Sequence, residues 1–486
     1  MGLDLLLRNA RVVSETRVFD ACVGVSAGRI AYLGAADTAP NAAREIDLGG
    51  LFLLPGCIDV HVHFREPGMT QKEDFGTGTA AAAVGGVTCV FDMPNTLPPT
   101  DTAERLGEKR ALAEEKALID FGLYGLLAEH NLDQLRPMAE AGMIGTKLFL
   151  GNTTGDNPCP SDGAVLEGFE ILAELGLRCS IHAENSPILF WRQNKLRAAG
   201  RTDPLAHLAA RIDIVAIEAL NRSATLADWT GARIHIVHES CAGSLPFLEF
   251  WKGRGVDLTV ETLPQYLYHD AETMAQPGGH VLRMNPPIRQ KSHQAPLWQG
   301  LRDGLIDFVA TDHAPHTPAE KEGATIWDMA CGFPGVQTSL PLMLEAVSAG
   351  QLKLTDVVRV MAGAPARAFG LSHRKGSIGI GMDADLVVVD MERTETLGAE
   401  RMLSRGKVSV YEGWLVRGTP VMTFSNGRLV AEEGRIVETR PLGRMVRPEM
   451  PPPAPRNRAT TMAAVLVPGA TPWEEDEARS HTAAET

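Results

Sequence analysis

The stretch LFLLPGCIDVHVHFR, residues 51 to 65, runs from an apolar segment of strand character into His61, Val62, His63, Phe64 and Arg65. Side chains of an extended chain alternate with a period of two, so His61, His63 and Arg65 project from one face. A strand that ends in this way carries two metal-type ligands and an anion receptor at its C-terminal end. In an α/β barrel that is where the chemistry sits.

Working outward, the middle of the chain alternates strand-like and helix-like segments. Candidate strands fall at 52–60, 87–92, 119–126, 143–150, 177–182, 232–238, 257–261 and 305–312, with Ala/Leu/Glu-rich segments between most of them. Such alternation means parallel strands with crossover helices, and eight units predict a (β/α)8 TIM-like barrel. The two ends read differently. Residues 3–50 and 384–430 hold short β-type runs broken by Gly, Asn and Asp turns, which predicts that the N- and C-terminal segments pair into a small β-sandwich. The expected organisation is therefore 1–52 with 370–440 as the sandwich, 53–369 as the barrel, and 447–486 as a Pro-rich, acidic, mobile tail or arm.

Composition narrows the function classes. The 486 residues are 44% hydrophobic and 22% charged, enough apolar material for a large core. The net charge of −14, with no dense Lys/Arg run to offset it, argues against a nucleic-acid partner or an anionic membrane surface. The seven cysteines are scattered, lack CxxC spacing and sit mostly in apolar runs, as expected of reduced core residues. No basic leader followed by a long apolar stretch opens the sequence and no apolar run is long enough to span a bilayer, so a cytoplasmic location is expected.

With the strands placed, their C-terminal ends can be read in order. The first ends in His61 and His63, the fourth carries Lys147, the fifth ends in His182, the sixth in His238 and the eighth in Asp312. An isolated strand histidine is more often a hydrogen-bonded core residue than a ligand, and a lone Asp before a loop is usually a helix cap. Co-occurrence at five strand ends changes those odds. His235, of opposite parity to His238, is expected to point away from the mouth as a structural residue. His130, His207, His269, His280, His293, His373 and His481 are also read as structural, and the glycines around Gly76 and Gly78 lack a P-loop lysine.

Four imidazoles and a carboxylate suit Zn²⁺. A lysine among them is explained if burial near positive charge lowers its pKa, because a neutral amine can add carbon dioxide to give an anionic carbamate able to bridge two metals. The expected cofactor is thus Zn²⁺, two per subunit, bridged by carboxylated Lys147. Such a pair activates water and polarises a carbonyl. Asp312 is the candidate catalytic proton carrier, taking a proton from the water and handing it to a departing ring nitrogen.

These residues carry a family resemblance. The run from Pro55 to Gly68, then Lys72-Glu73-Asp74-Phe75, Asp92-Met93-Pro94-Asn95-Thr96, Met284-Asn285-Pro286-Pro287-Ile288-Arg289 and Thr311-Asp312-His313-Ala314-Pro315-His316, resembles the cyclic amidohydrolases and within them most the class I dihydroorotases. The resemblance covers roughly residues 3 to 435. It implies His61, His63, carboxylated Lys147, His182, His238 and Asp312 as the metal-site residues. It further implies that Arg65, Asn95 and His316 hold the substrate's carboxylate and ring, with Asn285 placed like a ring-contacting residue. The activity it implies is that of a dihydroorotase interconverting N-carbamoyl-L-aspartate and L-dihydroorotate in pyrimidine biosynthesis, working as a homodimer or homotetramer on a small cyclic amide or ureide. The stretch after Lys147, through Asp156, departs from the dihydroorotase pattern, and the section from His182 to Leu267 looks closer to hydantoinases and allantoinases. An allantoinase or hydantoinase/dihydropyrimidinase is therefore the alternative, and a non-catalytic homologue is disfavoured because all six ligand positions are filled.

Overall fold

The computed structural model describes residues 2–151 and 158–450. His481, most of the expected tail and the whole stretch from Asn152 to Asp156 lie outside the described residues.

The centre is a parallel barrel of eight strands in sequential order: β1 Cys57–Val62, β2 Val87–Asp92, β3 Asp120–Leu126, β4 Gly145–Phe149, β5 Arg178–His182, β6 Arg233–Ile236, β7 Leu258–Thr262 and β8 Phe308–Val309. All eight are found where the hydrophobic runs predicted them, although β8 is only a two-residue strand. The chain after β8 stays beside β1 and closes the ring: His63 N donates to His313 O at 2.7 Å, His313 N to His61 O at 3.3 Å, and Val62 bridges His313. Asp59 reinforces this seam by accepting from Thr311 Oγ1 at 2.5 Å and from His61 N at 3.2 Å.

Outer helices start where short polar side chains can take up the free N–H groups of the first turn. Asp74 caps Phe75–Val84, Thr102 caps Ala103–Glu114 and Ser161 caps Asp162–Leu175. The end of the barrel away from the mouth is stoppered by Phe369, whose ring centroid lies 5.1 Å from Phe91, 6.1 Å from Tyr124 and 5.8 Å from His235.

The predicted strand over 52–60 is two strands. Phe52–Pro55 belongs to the small sheet and Cys57 begins the barrel, with the chain redirected at Gly56. A Cβ at Gly56 would lie 2.1 Å from Thr88 Oγ1, so no larger residue fits the corner. Phe52–Pro55 also knits the chain ends together, running parallel to Leu3–Val13 on one side and antiparallel to Leu386–Thr396 on the other within a nine-stranded mixed sheet. Leu5, Val23 and Val25 from the first half and Leu386, Val388 and Phe424 from the second share one core. The architecture is a (β/α)8 barrel with a β-sandwich built from both ends of the chain.

One excursion of the C-terminal segment leaves the sandwich for the barrel mouth. Between Leu386–Thr396 and Leu415–Ser425, Ser404 donates to Glu73, Arg405 pairs with Asp74, and Tyr411 stacks on His269 with centroids 5.0 Å apart. None of the helices among the described residues is long and apolar enough to cross a membrane.

Candidate active site

The barrel brings the strand-end residues together. His63, His61, His238 and His182 form a continuous file of imidazoles, with successive ring centroids 5.3, 5.2 and 4.7 Å apart. Asp312 Oδ1 lies 3.3 Å from His61 Nε2 and 3.1 Å from His63 Nε2. Donor atoms of His61, His238 and Asp312 all lie within 4.8 Å of one another, close enough to share a cation. His238 and Asp312 adopt φ of +44° and +47°, and Arg65 +62°, left-handed conformations that side-chain-bearing residues rarely take. Strain collected at three positions of one mouth marks a region held for function rather than for stability.

The outward nitrogens of three imidazoles are each held by an acceptor. His61 Nδ1 donates to Glu261 Oε1 at 2.5 Å, His63 Nδ1 to Asn95 Oδ1 at 2.8 Å, and His182 Nε2 to Glu184 Oε2 at 2.9 Å. Glu184 is itself paired with Arg211, which with His182 holds its carboxyl down at about 2 against the opposing effect of burial. These bonds fix the tautomers, leaving a lone pair on His61 Nε2, His63 Nε2 and His182 Nδ1. Those lone pairs face Asp312 Oδ1 and, across 2.9 Å, His238 Nε2. Lone pairs turned toward a carboxylate repel unless a cation stands between them, so the donor set fits a metal.

Burial, reinforced by neighbouring positive charge, pushes His61 and His238 well below the ordinary histidine value, which keeps them neutral as ligands must be. Lys147 is fully buried and its Nζ has no hydrogen-bond partner among the described residues. Burial lowers its pKa to about 8, against the pull of Glu261 and Asp312. An amine of that pKa is about one-tenth neutral at pH 7, far more than an ordinary lysine.

Beside the imidazoles opens a cleft lined by His63, Arg65, Asn95, Asn285, Asp312, Ala314, Cys331 and Gly332. Three residues expected from sequence to meet the substrate, Arg65, Asn95 and Asn285, thus reach it. Arg65 is buried, its Nε donates to Pro315 O at 3.3 Å, and its Nη1 has no partner. His316 lies behind Arg65 rather than on the cleft. Lys72 Nζ donates to His316 Nδ1 at 3.2 Å, which leaves Nε2–H to donate to Cys331 O at 3.1 Å. Asn95 has a second attachment beyond its place on the cleft wall, since it orients His63.

Two findings depart from the sequence reading of strand parity. His235 does not turn away from the site: it lies inside the barrel, stacked on Phe308, and its Nε2 reaches Glu261 Oε2 at 3.0 Å. Parity failed because β6 stops at Ile236 and His238 follows a break at positive φ, so alternation is not carried from 235 to 238. Glu261, not singled out from sequence, binds His61, His235 and the backbone N of His238 at 3.0 Å. Its signal was a carboxylate inside an otherwise apolar run, Leu258–Thr262.

A closed eight-stranded barrel whose mouth gathers four imidazoles and a carboxylate has the build of a metal-assisted hydrolase. The sequence matches the amidohydrolase family over residues 52–430, and the chain belongs to that family. It is 37% identical over 451 residues to an allantoinase of Deinococcus radiodurans, covering 92% of this chain and 99% of that protein. It is 34% identical over 451 residues to an L-hydantoinase of Paenarthrobacter aurescens, covering 91% and 98%. Among solved structures it superposes on the L-hydantoinase (dihydropyrimidinase) of Arthrobacter aurescens with a TM-score of 0.88 at 32% identity, covering 92% of this chain and all of that one. These relatives overturn the dihydroorotase assignment and with it the place in pyrimidine biosynthesis. Short motifs such as HFREPG and DHAPH resemble dihydroorotases, whereas similarity along nearly the whole chain runs to allantoinases and hydantoinases. The chain is a cyclic amide hydrolase.

Proposed function

We propose that the protein hydrolyses the ring amide bond of a five-membered cyclic ureide, a hydantoin or its ureido derivative allantoin, using zinc held by His61, His63, Lys147, His182, His238 and Asp312. The observation that carries the metal reading is the set of lone pairs turned inward on His61, His63 and His182 while their outer N–H groups are tied down. Lys147, buried, unpartnered and with its pKa lowered to about 8, is the residue whose amine would add carbon dioxide and bridge two ions as a carbamate. Bound there, zinc would supply Lewis-acid polarisation of the ring carbonyl and activation of the attacking water.

The chain's own residues do the rest. Asp312, at the junction of the imidazoles and the cleft, carries the proton from the water to the departing ring nitrogen. Arg65, which lines the cleft, donates to an oxygen of the ring or its substituent, and Asn95 and Asn285 hold the ring's amide edges. The mouth excludes bulk water because its ligands are buried, which strengthens each of these contacts.

The test is one panel on zinc-loaded protein: allantoin, hydantoin, dihydrouracil and dihydroorotate side by side. Turnover of allantoin or hydantoin, with KM raised about tenfold or more by Arg65→Ala at near-normal zinc content, is expected. Turnover confined to dihydroorotate, or none with two zinc ions bound, would overturn the reading.

A further inference from the structure

Lys321 is buried to 1% exposure, yet its ammonium touches no carboxylate and lines no part of the cleft. It closes the short 3₁₀ turn Pro318–Lys321 in the loop that follows β8. Its Nζ lies 3.0 Å from each of three carbonyls, those of Arg283, Ala330 and Gly332. An ammonium has three donors, so Lys321 is saturated by carbonyls converging from two separate segments. One segment leads through Met284 into Asn285, and the other is the Ala330–Gly332 loop. Asn285, Cys331 and Gly332 line the cleft that His63 and Asp312 also line.

Burying an ammonium is costly, and the two segments are already joined by Gly332 N donating to Arg283 O at 2.9 Å. The lysine therefore contributes something that simple attachment does not, namely a fixed separation. The wall has no slack behind it. A Cβ on Gly332, at φ +114°, would stand 2.6 Å from Ala314 Cβ, and His207 Nε2 holds Met284 O at 2.9 Å from the far side.

The neighbouring residue of the same turn serves the other end of the cleft. Glu320 pairs with Lys72 at 2.7 Å while also accepting from Thr317 N at 2.9 Å. Lys72 in turn donates to His316, which stands 3.3 Å from Arg65. Two consecutive side chains on one turn are thus keyed to the two sides of the substrate space.

We infer that the Pro318–Lys321 turn is the specificity-determining element of this site, with Lys321 the positioning residue that sets the distance of the Asn285 and Gly332 wall from the reacting centre. The inference rests on the proposed ring-ureide activity and says which part of the molecule chooses among ring substituents. Lys321 touches neither the metal-site residues nor the cleft, so it acts on fit and not on bond breaking.

The experiment compares wild type and Lys321→Met, both zinc-loaded, on hydantoin and on hydantoins with progressively larger substituents at the ring carbon. Methionine keeps the apolar stem as far as Cε but removes the nitrogen and all three donors. The expected result is a KM for the preferred ring raised about tenfold or more, kcat within about threefold, unchanged zinc content, and a preference between small and large substituents weakened about tenfold. Unchanged KM and unchanged preference overturn the inference, and so does a fall in kcat at constant KM. Should Lys321→Met not fold, Glu320→Gln carries the test from the other side, with a raised KM supporting the inference and an unchanged KM overturning it. A wild-type enzyme inactive on every ring ureide would instead remove the activity on which the inference rests.

Discussion

The barrel has a tight cluster of buried ionisable groups at each end, and the two differ in one respect. At the end away from the mouth, the carboxylates of Asp120, Asp383 and Asp385 converge as closely as the donors of His61, His238 and Asp312 do at the mouth. By donor spacing alone both could hold a cation. The lower cluster already holds one: Lys375 Nζ lies 2.7 Å from Asp120 and 3.2 Å from Asp383, and it also pairs with Asp385. The mouth also has a buried lysine, but Lys147 has no hydrogen-bond partner among the described residues, and the histidine lone pairs there face a carboxylate. Convergence of ligand-type residues is therefore a poor guide to a site. The useful sign is charge and lone pairs left incomplete by the chain itself.

That contrast makes the two lysines opposite in their effects. Lys147→Met should lower kcat by at least about a thousandfold and reduce bound zinc, with thermal stability of the metal-free protein unchanged or raised, since an unpaired buried ammonium is a burden. Zinc content, turnover and melting temperature measured on one preparation check this, and retained activity would show that Lys147 is no part of the machinery. Lys375→Met should leave zinc per folded molecule intact while destabilising the fold by about 3–5 kcal/mol, because Asp120 and Asp385 remain buried without their cation and Asp383 keeps only Arg374, 2.8 Å away. The loss should shrink as pH falls and Asp385, whose carboxyl burial already pushes up, takes up a proton. A stable Lys375→Met protein would break the comparison.

Much of this was readable in the sequence because both the barrel and its mouth follow from periodicity. Eight apolar runs gave eight strands, and the ends of five of them carried the residues that the fold now gathers. Where periodicity stops, so did legibility. His235 and His238 lie three apart across a strand end, and only the positive φ of His238 shows that both face inward. The split at Gly56 turns on a side chain from β2, Thr88, that no local pattern foretells. Substrate choice was the least legible. His61 and His63 are compatible with many ring amides, and the Asn285 and Gly332 wall is set by contacts among Lys321, Arg283 and Gly332 that are far apart in sequence.

Glu261 offers a smaller test of the same contrast, because it completes the shell around the mouth without being one of the inward-facing groups. Burial pushes its carboxyl up to about 8, against the pull of Lys147 and of the His238 backbone N–H, while His61 and His235 each bring a ring nitrogen to one of its oxygens. Glu261→Gln keeps the shape but turns one acceptor into an NH₂ group, which must then meet a donor from His61 or His235. Facing His61, it removes the bond that fixes that imidazole's tautomer; facing His235, it loosens the shell behind His61. Zinc affinity, measured by competition with a chelator, should fall about 10–100-fold, with turnover recovering at saturating zinc. An unchanged affinity would mean that packing around β1 alone orients His61, and that the mouth is held as rigidly by its apolar surroundings as the lower cluster is by its ion pairs.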